Sequence, residues 1–284
     1  MHDDPWLDEP GEHDEDAGDV RPRTLGERVK RGLRDAAADL RANGGAPLPL
    51  SWRDVFVMAL VCVILTIFYY YARPNFYRRH LEADLLRWLA MEKSHWRTLF
   101  PYFYWTCTSL TLRLFIPLAT IVLLFRDDPR DYGFQLWKRG HGKIYAGMYL
   151  FMLPLLLTMS FTTSFQSKYP FYKMAGERLD HFILYEISYG LQFMSLEAFF
   201  RGFMIFALFK RFGYQAVVIM TIPYCMIHFG KPIPETLGAV VAGLALGFMA
   251  IKSKSWLPGA LLHWSVGFTM DIVCLVQTGR WKLW

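Results

Sequence analysis

From residue 54 onward the chain keeps returning to apolar runs long enough to cross a bilayer, and this limits what it can fold into. About 30 Å of hydrocarbon takes roughly 20 helical residues, and a helix satisfies its own backbone groups where no water can. By hydropathy such runs lie near 54–72, 101–125, 144–164, 181–209, 213–229, 236–251 and 256–277. They predict an all-α polytopic transmembrane helical bundle of about seven spans. The last three are joined by very short turns, which predicts antiparallel neighbours. Overall usage agrees: 54% of residues are hydrophobic and only 20% charged, where a soluble domain carries about 25%.

The remaining charge is segregated. Residues 1–50 form a polar tail, acidic in MHDDPWLDEPGEHDEDAGD and basic in VRPRTLGERVKRGLRDAAADLRANGG. The acidic head reads as disordered. The basic stretch reads either as a helix lying on anionic headgroups or as a solvated linker. No basic, secretory-type start precedes the first span, which is expected to serve as its own insertion signal. The net charge of +6 fits loops near headgroups better than a nucleic-acid footprint. Residues 51–129 read as N-terminal membrane helices with a Trp-rich surface helix over 73–100, and 278–284 as a C-terminal tail. The even-numbered loops and the tail favour a cytoplasmic N-terminus, while the basic first loop argues the other way. Cys62, Cys107, Cys225 and Cys274 all sit in apolar runs without metal-ligand spacing, as packing residues do.

The stretch SLEAFFRGFM, residues 195–204, breaks the apolar pattern. An acid or base at mid-bilayer costs about 2.5–3.5 kcal/mol on insertion scales. Glu197 and Arg201 stand four residues apart, one helical turn, with the acid N-terminal as such pairs prefer. Gly202 lets a neighbour approach closely. A pair that merely staples helices is the plain reading; intramembrane ionisable residues are more often functional. Two histidines tip the balance. PYCMIHFGKP puts His228 at the end of the fifth span, and SWLPGALLHWSVGFTMD puts His263 inside the seventh. Three apolar helices each carrying a polar group predict a shared polar site, because each group would otherwise lack a partner in lipid.

The order Glu-x-x-x-Arg-Gly, aromatic-x-x-x-His, and a late His resembles the CPBP family of intramembrane proteases. That family takes in the type II CAAX prenyl endopeptidases and the bacteriocin-processing and immunity proteins. The resemblance covers roughly 130–277, from DYGFQL onward. It implies a bundle with a polar intramembrane cavity and peptide-bond hydrolysis inside it, with Glu197, Arg201, His228 and His263 as the catalytic set. Two positions depart from the family pattern. Leu196 stands where a first glutamate is usual, and Gly267 where Asn or Asp follows the last His by four. Tyr224 replaces a common Phe. Glu235, Asp271 and Glu186 are the secondary candidates that might supply the missing acid: Glu235 by folding back across a turn, Glu186 from the same helix face as Glu197, and Asp271 two turns past His263 though rotated by about 80°.

The expected reaction is hydrolysis of a membrane-associated or prenylated protein or peptide by a water that Glu197 and His228 activate, with His263 stabilising the oxyanion. No cofactor is favoured. Zinc is the alternative, with His228, His263 and Glu197 as ligands, but no HExxH motif supports it. The rival reading is a non-catalytic scaffold or immunity-type protein that binds a peptide or partner helix in the same cavity. A transporter would need internal repeats with broken helices, which the sequence lacks. The resemblance places the protein in a bacterial inner membrane, with lipids as further partners and no nucleic acid.

Overall fold

The computed structural model describes residues 51–136 and 141–282, together with Gly26, Lys30, Arg31, Gly32, Arg34, Asp35 and Ala38. Those isolated positions of the basic stretch are helical. The acidic head and the rest of the tail, residues 283–284 included, lie outside the described residues. Residues 46–284 form one unit, apart from the N-terminal tail.

Among the described residues that unit is built of helices without strands. Helix α1 spans Trp52–Tyr71 and opens on a capping box, in which Ser51 and Asp54 each bond the other's backbone N–H, satisfying two end groups at once. The surface helix expected over 73–100 is broken into α2 (Pro74–His80), α3 (Glu82–Trp88) and a 3₁₀ turn, His95–Thr98. Helix α4 (Phe100–Phe125) returns across the bundle. Arg53 reaches from the start of α1 to Asp127 just beyond the end of α4, at 3.0 Å. Helices α5 (Gly142–Ser160) and α6 (Thr163–Lys168) follow, then α7 (Leu179–Phe212), α8 (Gln215–Met226), α9 (Ile233–Ser253) and α10 (Leu257–Gln277).

Six of these, α1, α4, α5, α7, α9 and α10, are long and apolar enough to cross a membrane. The protein is an integral membrane protein. The expected fifth span is the 12-residue α8; it rises only ~18 Å, short of the hydrocarbon thickness, and ends just before His228. Helices α8 and α9 pack as the antiparallel pair their short turn requires. Helix α10 packs mainly on α5 and α7 instead of on α9.

Helix α7 is the axis of the bundle. Of its most apolar window 78% is buried, against 11% for α5, so α7 is surrounded by protein while α5 faces outward. A central helix can carry polar side chains because neighbours supply partners on every side. Gln192 does so with Arg113 of α4, whose Nη2 donates to Gln192 Oε1 at 2.6 Å and whose guanidinium also bonds Ser109 and lies 4.0 Å from the Phe68 ring. From Ala198 to Met204 the helix widens into π-helical turns, a deformation common at functional sites.

Candidate active site

Glu197 is the last α-helical residue of α7 before those π turns. Its Oε1 accepts from Arg201 Nη1 at 3.0 Å and lies 2.9 Å from His263 Nδ1. The i, i+4 pair read from the sequence is therefore formed, and α10 closes it with an imidazole. Glu197 and Arg201 are fully buried, while the His263 side chain keeps 17% of its surface, so the cluster opens past His263. Glu197 Oε2 makes no hydrogen bond within the protein. Gly259 flanks it: a Cβ there would lie 3.4 Å from Oε2.

His228 joins through an intermediary. Its Nδ1 bonds the carbonyl oxygen of Tyr224 at 2.8 Å. A carbonyl only accepts, so Nδ1 carries the proton and Nε2 presents a lone pair. The Tyr224 ring stands 3.8 Å from the Arg201 guanidinium carbon, 4.8 Å from the His228 ring and 6.4 Å from the His263 ring, centroid to centroid for the last two. It is the shared wall of the site. Phe193, one turn before Glu197, packs against His263 with ring centroids 4.4 Å apart and planes tilted by 38°. Gly202 takes Trp256 and the Tyr132 carbonyl against its bare Cα, as its place beside Arg201 predicts.

The secondary candidates do not gather here. Glu235 is held between Tyr169 Oη and Lys231 Nζ, each at 2.7 Å. Glu186 and Asp271 face one another deeper along the α7–α10 interface. Both are buried and none of their carboxyl oxygens makes an aligned hydrogen bond, with Trp264 beside Glu186 and Tyr185 beside Asp271. The same helix face carries Glu186 and Glu197, but three turns of rise separate them by roughly 16 Å. Leu196 packs against the apolar core. Gly267 is tightly packed: a Cβ would fall 2.7 Å from Phe193 Cε2 and 3.2 Å from Tyr189, so an Asn or Asp there needs the Phe193 ring to move.

A zinc centre on Glu197, His228 and His263 does not fit this arrangement. No choice of ligand atoms brings all three within 4.8 Å of one another, and Glu197 Oε1 is already shared by Arg201 and His263. Sequence reasoning passed over Tyr224 as a wall and Gly259 as a flank. The i, i+4 spacing of Tyr224 and His228 was the available signal for the first; nothing in the sequence pointed to the second.

Residues 187–269 match the family described as type II CAAX prenyl endopeptidase Rce1-like. This segment is similar to that family. The matched segment runs from the middle of α7 to the last turns of α10 and contains Glu197, Arg201, His228 and His263. No curated protein and no solved structure matches the chain. The Rce1-like description is that of a peptide-bond hydrolase, and the match supports a protease kind and a peptide or protein substrate for this membrane protein.

Proposed function

We propose that the protein is an intramembrane endopeptidase that cleaves a membrane-associated or prenylated protein or peptide with a water activated by Glu197 and His228. The observation that carries this reading is the division of labour on one carboxylate. Arg201 and His263 share Oε1, which leaves Oε2 as the basic oxygen facing the small residue Gly259.

In this mechanism the His228 Nε2 lone pair orients the water and Glu197 Oε2 takes one of its protons as the water oxygen attacks the scissile carbonyl carbon. His263, oriented by its Nδ1 contact with Glu197, is the donor to the oxyanion in a setting poor in water, where such donors count most. The C–N bond then breaks. The amine leaves with the proton Glu197 had taken, and the other product is the carboxylic acid. Arg201 stays paired and keeps Glu197 oriented, and the Tyr224 ring holds Arg201. No step passes through a metal.

The test uses the full chain in lipid vesicles with prenylated C-terminal peptides, their unprenylated forms and a peptide library. Cleavage by the wild type that is lost in both Glu197→Ala and His228→Ala supports the peptidase. Peptide binding without cleavage by the wild type overturns it in favour of the scaffold.

A further inference from the structure

His95, Asp180 and His181 form a separate polar cluster at the N-terminal end of α7, roughly 24 Å along that helix from Glu197. A ring nitrogen of each histidine and a carboxylate oxygen of Asp180 lie within 4.8 Å of one another. Two imidazoles and a carboxylate are the mixed nitrogen and oxygen set that suits zinc-class divalent ions; calcium and magnesium take oxygen ligands.

Proximity alone would carry little, since polar groups cluster at many surfaces. The second observation concerns His181. It is only 3% exposed, and its Nε2 has no hydrogen-bond partner. Leaving a buried polar atom unpaired is costly, so an orphaned nitrogen on a histidine that sits beside two further ligand types asks for a ligand.

The neighbouring hydrogen bonds fix what kind. His181 Nδ1 lies 2.7 Å from Tyr172 Oη, Tyr172 Oη lies 2.7 Å from Thr98 Oγ1, and Thr98 Oγ1 donates to the His95 carbonyl at 3.2 Å. Thr98 has one hydroxyl proton, and that carbonyl can only accept it. Tyr172 therefore donates to Thr98 and accepts from His181 Nδ1–H. Nε2 is left as a bare lone pair, the form in which imidazole binds metal, and Tyr172 acts as the outer partner that orients such ligands.

The other two ligands are free to adjust. The His95 and His181 rings are nearly parallel, 5.4 Å apart at 14°, and one ion cannot lie in both ring planes. His95 is exposed and can turn to meet an ion held by the fixed His181. Asp180 is bound by Arg178 at 3.0 and 2.7 Å, and its Oδ1 also accepts the His181 backbone N–H at 2.8 Å. That pair is open to solvent, with side chains 54% and 36% exposed, and exposed pairs exchange cheaply.

We propose that His95, Asp180 and His181 bind one zinc-class divalent cation and so fasten the 3₁₀ turn His95–Thr98 to the start of α7. The proposal is independent of the peptidase reading. The test is cobalt titration of chelator-stripped, full-length protein purified without a polyhistidine tag. The expected result is one Co²⁺ per chain, with the intense visible band of a four- or five-coordinate ion. Affinity should fall at least tenfold in His95→Gln and in Asp180→Asn and stay unchanged in His263→Gln. Zn²⁺ should raise the melting temperature of the wild type and not of His95→Gln, an exposed change that spares the core. Absence of the band, uptake that survives both cluster variants, or uptake that follows His263→Gln would overturn the proposal.

Discussion

The α7–α10 interface carries two buried carboxyl sites, and they are built on opposite plans. At one level Glu197 meets a guanidinium and an imidazole. About three turns away Glu186 faces Asp271, with Trp264 beside the first and Tyr185 beside the second. Between them lies a layer in which Phe193 and Tyr189 fill the space beside Gly267, and Trp264 presses on Gly190. Burying a carboxylate is expensive unless a cation or several donors compensate it. The first site meets that condition and keeps one oxygen uncommitted; the second sets two acids against each other, and Lys173 acts on Asp271 without an ion pair between them. Being buried and acidic is thus not enough to make an acid a candidate for catalysis. What distinguishes Glu197 is a charge partner on its own helix and a histidine from another.

The largest effect should come from the first site. Glu197→Gln keeps the shape of the side chain but removes the base, and peptide cleavage should fall by about 10²–10⁴-fold, measured as kcat on whichever substrate the wild type cuts. A fall of that size from Glu186→Gln instead would reverse the comparison. Next comes Arg201→Ala, which strands a buried carboxylate. Loss of one partner of a buried pair costs about 3–5 kcal/mol, and the change should appear as a lower unfolding midpoint in detergent as well as lost activity.

The aromatic layer between the sites gives a smaller effect. Gly267→Ala drives a Cβ against Phe193, and overpacking of this kind costs about 1–3 kcal/mol. The melting temperature should drop, and Phe193→Leu should restore part of it by yielding the space. If Gly267→Ala melts like the wild type, the steric account of that glycine is wrong. The smallest effect is expected at the second site. Glu186→Gln replaces an acid that faces another acid with a neutral amide of the same size, so cleavage should stay within about twofold and stability within about 1 kcal/mol, or rise.

Much of the architecture was legible in residue order. Unbroken apolar runs located the crossing helices, because hydrocarbon tolerates nothing else. The spacing of Glu197 and Arg201 announced their contact, since one turn of helix fixes it. The expected fifth span is shorter than hydropathy suggested for a related reason: hydropathy registers apolar content, and α8 with its following turn is apolar enough, but only 12 residues of it are helical. The secondary acids differ in where packing places them. Helix phase put Glu186 on the same face as Glu197, yet phase carries no information about height or about which neighbour lies opposite.

By itself, then, the chain determined that it lives in a membrane, which helix is charged, and which residues one turn apart must touch, because those are consequences of local geometry and solvent. Only tertiary packing decided that His263 comes to Glu197 while Asp271 goes to Glu186, that Tyr224 stands between Arg201 and both histidines, and that Gly267 is pressed by Phe193 and Tyr189. These depend on the relative height and rotation of α7, α8 and α10, and interhelical register is set by the sum of many side-chain contacts that no single stretch of sequence contains.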